Sequence, residues 1–345
     1  MYVGNLSCLY LKLNHFQIKM KNFPAITSTL SAFELGEFVR ERYRLSQNCT
    51  CKLFRTGINH TYFIDDVETK YVLRVYFYNW RSKSQILEEI KLLNLLKENN
   101  ISISYPIEDI EGNFIQDINA PEGIRHAVLF SFAEGKKIRF MDTATCFSIG
   151  SLMARMHLLT HNRNIERINY DTESLLKLPY EQVKKIFSEM LEEMQFIKKQ
   201  SDEINKAFEN IDPASLKEGI VHLDIWYDNM NVTDDNEITI FDFDFCGNGL
   251  LILDVAYFCK QLFHIETDKE EYKLKVQSFL NGYQSLKKLS EQEIKMIPIA
   301  GSAIWIFYLG VQAQRFDWSN IFLSENYLKM YVGRMRSWMD FYHKI

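Results

Sequence analysis

Five residues with metal-binding or acid–base side chains lie close together in the chain: His222, Asp224, Asn229, Asp242 and Asp244. Apolar, strand-like runs precede and separate them, so the polar groups are expected to collect at strand ends and in one loop. A hairpin between the two halves of the stretch would return the chain and bring Asp242 beside Asp224 and Asn229. The pattern therefore predicts a single polar site built from consecutive chain segments.

The oxygen atoms of this site determine which chemistry it suits. Carboxylate and amide oxygens that converge in this way suit Mg²⁺, which takes few protein ligands and shares the rest of its coordination with substrate phosphates. A further carboxylate that does not bind the metal would orient a hydroxyl group and accept its proton. The residues alone therefore point to metal-assisted chemistry on a phosphate.

The elements that must position this site begin with a β-rich region. Ser31 with Glu34 forms a capping-box pattern before an amphipathic helix that ends near residue 45, and Ser82 with Gln85 is a possible second box before another helix. Turn residues separate short β-like runs on either side of the second helix. The sequence predicts strands at residues 51–55, 60–64, 71–78, 103–110 and 125–132, with the embedded helix at 82–97.

Beyond Gly135 the pattern becomes helical. Helices are expected at residues 144–159, 179–210, 250–263 and 270–283 and from 291 onward, interrupted by a loop and hairpin at 219–249 with its turn at 233–237. Strands and helices segregated along the chain predict an α+β protein with two lobes, joined by a linker at residues 131–135. The predicted divisions are an N-terminal extension at 1–30, an N-lobe at 31–132 and a helical C-lobe at 133–345.

Composition and charge restrict the class of protein. The 345-residue chain has a net charge of −5, which gives no case for nucleic acid or an anionic membrane as a partner. The first 168 residues carry +4 and the remainder −9, an asymmetry that would suit polyphosphate in one half and a cationic substrate near the other. Solvated surfaces of different sign would give the same asymmetry.

The cysteines and the most apolar segment indicate a cytoplasmic, soluble protein. Six Cys in a chain of this length do not form a disulfide framework, and we expect reduced thiols. The apolar run at residues 296–311 is interrupted by Pro and Gly and falls short of the ~20 apolar residues that a membrane-spanning helix needs. It is interpreted as a buried core helix.

The motif His222-x-Asp224-x-x-x-x-Asn229, followed by a hydrophobic-Asp-Phe-Asp strand at 242–244, resembles the aminoglycoside phosphotransferase/choline kinase superfamily, which has a protein-kinase-like fold. Its similarity is greatest to the bacterial branch that contains homoserine-kinase-like and stress-response kinases. The resemblance implies that Asp224 is the catalytic base and that Asn229 and Asp242 bind Mg²⁺. It also implies that His222 and Asp254 support the loop, whereas no role transfers to Asp244.

The resemblance extends to the proposed nucleotide site for ATP. Arg74 stands on a strand where the family has a Lys that grips phosphate, and Glu89 stands where the next helix supplies its partner. Gly57 and Asn59 resemble the turn that covers the phosphates. The backbone at Ser131 and Ala133 resembles the hinge that faces adenine. Arginine keeps the positive charge but is not interchangeable with lysine, so Arg74 departs from the family pattern.

These residues also have plainer interpretations. Glu89 could lie on a solvated helix face, and Gly57 and Asn59 could simply form a tight turn. His157 is expected to be a hydrogen-bonded core residue, and Trp226 lines the acceptor site or packs the lobe. The C-terminal aromatic residues are expected in the core rather than in a pocket: Trp305, Tyr308, Trp318, Tyr327 and Trp338.

The resemblance implies transfer of the γ-phosphoryl group of ATP to a hydroxyl group of a small molecule, namely an amino sugar, an amino alcohol or a hydroxy-amino acid. Two other hypotheses stay open. A Ser/Thr protein kinase is disfavoured because no Ala-Pro-Glu segment follows Asp242. A nucleotide-binding regulatory pseudokinase is kept open by Arg74. The sequence does not determine the oligomeric state.

Overall fold

The computed structural model describes residues 23–212, 215–315 and 324–343. Within them, a region built on a β-sheet is followed by a mainly helical region. This order confirms the predicted α+β, two-lobed fold class. Most of the predicted N-terminal extension, as well as Trp318, lies outside the described residues, and the predicted divisions at residues 30 and 132 remain predictions.

The N-terminal region is a five-stranded antiparallel sheet preceded by helix α1 (Ala32–Tyr43). Its strands are β1 (Thr50–Arg55), β2 (His60–Asp66), β3 (Thr69–Val75), β4 (Ile115–Ala120) and β5 (Gly123–Ser131). The order across the sheet is β1-β2-β3-β5-β4, so β3 and β5 are central and adjacent. Residue 74 on β3 therefore lies beside the C-terminal half of β5 in the sheet.

Helix α2 (Lys83–Glu98) follows β3 and begins at the predicted capping box, in which Ser82 and Gln85 bond each other's backbone. Ile86, Ile90 and Leu93 recur at helical spacing and are almost completely buried, because this face of the helix packs into the core. Glu89 lies on the same buried face with no exposed surface.

The predicted strand at residues 103–110 is wrong, and strand β4 was missed. The segment forms only isolated bridges, Ile103 with Ile240 and Pro106 with Phe130, because its backbone bonds first to one region and then to the other. Proline also lacks the N–H that a longer ladder requires. Strand β4 pairs only with β5, and its Gln, Asp and Asn residues gave a weak strand pattern.

The helical region contains α3 (Thr143–Thr160), α4 (Leu178–Val183), α5 (Glu192–Glu209), α6 (Ile252–Ile265), α7 (Lys269–Leu286), α8 (Glu291–Gln314) and α9 (Glu325–His343). Helices α3 and α7 approach closely because glycines face the contact. A Cβ added at Gly150 would lie 2.0 Å from a backbone oxygen of α7, and one added at Gly282 would lie 2.0 Å from a backbone oxygen of α3. Only glycine permits this approach.

The predicted single helix at residues 179–210 is also wrong. Helix α4 ends at Val183, a series of turns follows, and α5 starts at Glu192. The turns bury Phe187. Acidic residues at the start of α5 favour a new helix N-terminus there, because they interact well with the helix dipole.

Helix α8 contains the most apolar run in the sequence. It is long and apolar enough to cross a membrane by length and composition alone, but most of it is buried inside the protein. Its buried side chains join those of α6 in the main hydrophobic core. The interpretation of this run as a buried core helix is therefore confirmed.

Five short strands hold the polar stretch: β6 (Asn169–Tyr170), β7 (Glu218–Val221), β8 (Met230–Val232), β9 (Ile238–Ile240) and β10 (Gly247–Leu250). Strands β8 and β9 form the predicted hairpin, in which the N–H of Thr233 donates to the carbonyl of Glu237. Strand β10 pairs with both β6 and β7. The chain thus returns after β9 to the loop that follows β7.

Candidate active site

Asp254, at the start of α6, fixes the backbone of the loop after β7. Its carboxylate accepts hydrogen bonds from the N–H of His222 (2.9 Å) and of Leu223 (2.6 Å). It also contacts His157 Nε2 at 3.1 Å, and the other ring nitrogen of His157 is 2.8 Å from the hydroxyl of Tyr283. Leu223 has a φ of 61°, a conformation that costs energy in a non-glycine residue and is retained by these bonds.

His222 joins the two halves of the site. Its Nδ1 accepts from the N–H of Asp224 at 3.1 Å, which leaves Nε2 to donate to the carbonyl of Phe241 at 3.2 Å. Burial lowers the pKa of His222, so the ring is neutral and carries one proton. The residue before Asp242 is thereby tied to the loop that carries Asp224.

Asp224 lies at the cavity wall with both carboxylate oxygens oriented by donors. Oδ2 accepts from Asn229 Nδ2 at 2.6 Å, and Oδ1 accepts from the hydroxyl of Tyr257. Burial raises the pKa of Asp224 to about 8; the charge of Asp242 adds to this effect, and the hydrogen bonds from Tyr257 and Asn229 oppose it. A carboxylate with a pKa near neutrality is well matched to accepting a proton.

Asn229 and Asp242 provide oxygens that suit a hard divalent cation. The Nδ2 of Asn229 donates to the backbone oxygen of Asp224 at 3.0 Å and also to its side chain. Both bonds use the amide nitrogen, so the amide oxygen Oδ1 takes no part in them. Asp242 adopts a φ of 66°, and its side chain is 40% exposed. No cluster of three or more His, Cys, Asp or Glu side chains suited to a metal occurs in the described part of the chain. One carboxylate and one amide oxygen fit Mg²⁺, which takes few protein ligands when phosphates supply others.

Arg74 lies between Glu89 and Asp242 and does not point to solvent. Its Nη1 is 2.8 Å from Glu89 Oε1, and its Nη2 is 3.0 Å from Asp242 Oδ1. Glu89 also bonds Tyr76 and Arg167, so it lies inside a polar cluster rather than on a solvated helix face. Burial alone would lower the pKa of Arg74, but the surrounding negative groups, led by Asp242, raise it. The guanidinium is therefore charged and fixed at the cavity.

Asp244, for which the resemblance implies no role, connects the two regions of the fold. Its carboxylate accepts from the indole N–H of Trp80 at 2.8 Å and pairs with Arg81 at 3.2 Å. Burial would raise the pKa of Asp244, but the charges of Arg81, Arg167 and Arg74 lower it to about 2. Asp244 is thus an ionised structural residue beneath the site.

Gly57 and Asn59 lie in the turn between β1 and β2 and line the cavity. The side-chain oxygen of Asn59 accepts from the N–H of Phe77 at 3.2 Å, so Asn59 also holds the end of β3. Arg55, just before the turn, pairs at 2.8 Å with Asp228, which lies in the loop that carries Asp224. The turn is therefore held over the loop that carries Asp224.

The two residues of the predicted hinge differ in their position, because Ala133 lines the cavity and Ser131 does not. Ala133 lines the cavity; its carbonyl accepts from Asn231 Nδ2 at 2.6 Å, and the described hydrogen bonds include none from its N–H. The backbone groups of Ser131, which are predicted to face adenine, have partners within the protein. The N–H of Ser131 donates to the carbonyl of Tyr105 at 2.8 Å and its carbonyl accepts from Ser104 Oγ at 2.6 Å, because residues 104–107 run beside β5 and use its backbone groups.

One cavity of about 570 Å³ lies between the sheet and the helices, and it is lined by Asp224, Asn229, Asp242, Arg74, Glu89, Gly57, Asn59 and Ala133. Beyond Asp224 the cavity continues into what we term the helical end, which is lined by three helices. Its residues are Tyr257, Lys260, Gln261 and His264 of α6, Trp305, Tyr308 and Gln312 of α8, and Tyr327, Tyr331 and Arg334 of α9. Trp226 lines the same cavity.

The helical end corrects the expectation for the C-terminal aromatic residues. Trp305, Tyr308 and Tyr327 line the cavity, whereas Trp338 is fully buried in the core as expected. One signal in the sequence would have found the α6 residues: polar side chains recur at positions 257, 260, 261 and 264, one face of an otherwise apolar helix. The α9 residues carry no comparable local signal.

Comparison with known proteins finds similarity to phosphotransferases. Residues 50–289 match the phosphotransferase enzyme family, APH. A homoserine kinase from Bradyrhizobium diazoefficiens is 25% identical over 298 residues, which cover 86% of this chain and 88% of that protein.

Two solved structures share the fold with a TM-score of 0.74 each. One is an amicoumacin kinase in complex with AMP-PNP, Ca²⁺ and Ami, with 20% identity and coverage of 90% of this chain and 94% of that one. The other is a microcompartment-associated aminopropanol kinase, with 19% identity and coverage of 88% and 95%.

Proposed function

The chain belongs to the phosphotransferase enzyme family, APH, and on that premise we propose that it transfers the γ-phosphoryl group of ATP to a hydroxyl group of a small molecule. The observation that carries the proposal is the convergence of Asp224, Asn229, Asp242 and Arg74 on one cavity. Phosphoryl transfer needs positioning and charge neutralisation more than covalent work by the protein, and these four side chains supply both.

In the proposed reaction, Asp224 orients the acceptor hydroxyl and takes its proton. The hydroxyl oxygen forms a bond to the γ-phosphorus, the bond from that phosphorus to the β–γ bridging oxygen breaks, and ADP leaves with the electron pair. Asn229 and Asp242 would hold Mg²⁺, which neutralises negative charge on the phosphates when bound. Tyr257 and Asn229 support this role of Asp224 because they fix the direction of its carboxylate.

Arg74 is proposed to bind phosphate oxygens in place of the Lys that the family pattern carries. Its fixed position between Glu89 and Asp242 supports this role, since the guanidinium is held at the cavity and stays charged. A guanidinium presents several donors in a planar fork that matches phosphate oxygens. Gly57 and Asn59 would cover the phosphates, and the N–H of Ala133 would face the base.

The acceptor is proposed to be an amino sugar, an amino alcohol or a hydroxy-amino acid. The similarity to a homoserine kinase and to an aminopropanol kinase supports this range. We propose a cytoplasmic enzyme with no nucleic-acid or membrane partner. The absence of an Ala-Pro-Glu segment after Asp242 argues against a protein kinase.

An acceptor screen by coupled ADP release tests the proposal. Purified protein is incubated with ATP, Mg²⁺ and amino sugars, amino alcohols or hydroxy-amino acids, and phosphorylated product is identified by mass spectrometry. We expect ADP release that depends on one acceptor class and yields a phosphate ester. Tight nucleotide binding with no acceptor-dependent turnover would instead favour the regulatory pseudokinase.

A further inference from the structure

The helical end of the cavity contains a buried lysine with no carboxylate in contact. Lys260 is 4% exposed and lies on α6, three residues after Tyr257, which bonds Asp224. Its Nζ lies 4.3 Å from the ring centroid of Trp305, 5.0 Å from that of Tyr257 and 5.8 Å from that of Tyr308. Among the described residues Lys260 has no ion pair, although buried charges are ordinarily paired. Its ammonium thus fills an aromatic enclosure beside the catalytic carboxylate.

A second cation lies at the same end. Arg334 of α9 lines the cavity, and no ion pair or hydrogen bond of its side chain occurs within the described part of the protein. Burial lowers the pKa of His264 to about 4, and the charges of Arg334 and Lys260 act in the same direction. The helical end is therefore electropositive.

Negative charge at this end is confined to its boundary. No described residue that forms the helical end carries a carboxylate, and Asp224, at the boundary, is the carboxylate that acts on Lys260. Burial lowers the pKa of Lys260 to about 7, and the attraction of Asp224 opposes this effect. An anion bound beside Lys260 would compensate the cost of keeping its ammonium in this enclosure.

We propose that the acceptor carries a carboxylate, and that Lys260 binds it with Arg334 as a second cation. An acceptor whose only charge is an ammonium would meet two positive side chains, in an enclosure that the ammonium of Lys260 already fills. Of the three proposed acceptor classes, the hydroxy-amino acids are the ones that bear a carboxylate. The inference rests on the proposed function and makes Lys260 and Arg334 determinants of specificity.

Matched acceptors that differ only in the carboxylate test the inference. L-serine is compared with ethanolamine, and L-homoserine with the amino alcohol that lacks its carboxylate. We expect kcat/KM for the hydroxy-amino acids to exceed that of their partners by at least about a hundredfold, because a site built to bind a polar group rejects the analogue that lacks it. Lys260→Met and Arg334→Gln should each reduce this preference by about tenfold or more.

A matched control is Lys269→Met. Lys269 also lies over an aromatic ring, 3.7 Å from the centroid of Phe263, but it is outside the cavity and donates to backbone carbonyls. This variant should keep the wild-type preference. Equal or better use of the amino alcohols by the wild type, or an unchanged preference in both Lys260→Met and Arg334→Gln, would overturn the inference while leaving the proposed reaction intact.

Binding separates this inference from the proposed function. If no acceptor is phosphorylated, calorimetry in the presence of AMP-PNP measures whether the same compounds bind. Binding of a hydroxy-amino acid that weakens in Lys260→Met would support the carboxylate site and refute the transfer reaction. Failure of both hydroxy-amino acids to bind would overturn the inference.

Discussion

At the scale of single residues, the account depends on Asp224, whose two oxygens are held by Tyr257 and Asn229. Asp224→Asn keeps the shape of the side chain but cannot accept a proton. We expect kcat to fall by at least about a hundredfold, because general-base catalysis contributes this much or more, while nucleotide affinity is retained. Steady-state kinetics and nucleotide titration check this. Asp234→Asn, in the exposed hairpin turn, is the control and should behave as wild type.

Arg74 and Glu89 form one interaction, so their variants should not be independent. Arg74→Ala should lower kcat/KM for ATP by about tenfold or more, because a charge that contacts the nucleotide is lost. Arg74→Lys should retain more activity, since the positive charge survives. Glu89→Gln should show a smaller defect.

A double-mutant cycle of Arg74→Ala and Glu89→Gln gives the coupling between the two side chains. The combined loss should be less than the sum of the single losses. Independent, additive losses would mean that the ion pair seen at 2.8 Å does not position Arg74 for the nucleotide.

The residues of the site were predictable to different degrees for a physical reason. Asp224, Asn229 and Asp242 lie close in sequence, so spacing and the intervening hairpin sufficed to bring them together. Lys260 and Arg334 lie on different helices and reach the same cavity only through tertiary packing. The contacts of Ser131 have the same origin, because its backbone groups bond Ser104 and Tyr105, and no local pattern reveals this contact.

At the scale of elements, Asp244 joins the sheet region to the segment that carries Asp242 through Trp80 and Arg81. Asp244→Asn should lower the free energy of unfolding by about 3 kcal/mol, since removing one partner of a buried pair leaves the other uncompensated. Chemical denaturation measures this change. Asp117→Asn, which weakens the surface contacts of Asp117 with Lys83 and His126, is the control and should cost about 1 kcal/mol or less.

The loss of stability caused by Asp244→Asn should depend on pH, and the pKa of Asp244 gives the direction of that dependence. The pKa of Asp244 is depressed to about 2 in the folded protein, so the folded state binds this proton more weakly than the unfolded chain does. Its contribution to stability is therefore complete above the ordinary aspartate pKa and is lost as the pH falls towards about 2. The stability difference between wild type and Asp244→Asn should shrink over that range. A difference that stays constant would contradict the assignment of an ionised Asp244.

Elements with their own signals were predicted well, and elements defined by their neighbours were not. The capping box at Ser82 and the turn of the β8–β9 hairpin are local features, and both are present. Strand β4 exists because β5 offers it an edge, and the break between α4 and α5 exists because the turns between them bury Phe187. Neither cause can be inferred from a short segment of the sequence.

At the scale of the whole molecule, the net charge of the second half and the charges that line the cavity point to different acceptors. The acidic second half of the chain suggested a cationic substrate, yet the helical end of the cavity, built from that half, holds Lys260 and Arg334 and no carboxylate among its described residues. Net charge describes the surface, whereas specificity depends on the side chains that face the ligand. We therefore infer the acceptor from the side chains that line the cavity and not from the net charge of the chain.

The proposed metal site predicts how nucleotide binding responds to divalent cations. AMP-PNP should bind more tightly with Mg²⁺ than with excess chelator, and Asn229→Ala should weaken that enhancement, because amide and carboxylate oxygens select hard cations. Calorimetry in both buffers gives the comparison. Equal affinity with and without Mg²⁺ in the wild type would contradict a metal site at Asn229 and Asp242.

The most direct test of the central claim is transfer of a radioactive γ-phosphate from ATP to an acceptor hydroxyl in a single turnover. The account predicts that wild-type protein with Mg²⁺ moves the label into a phosphate ester of the acceptor, and that Asp224→Asn leaves it on ATP under the same conditions. Labelled ester formed equally by both proteins would remove Asp224 from the reaction. Label that stays on ATP with the wild type, despite bound nucleotide and Mg²⁺, would contradict the assignment of a phosphotransferase.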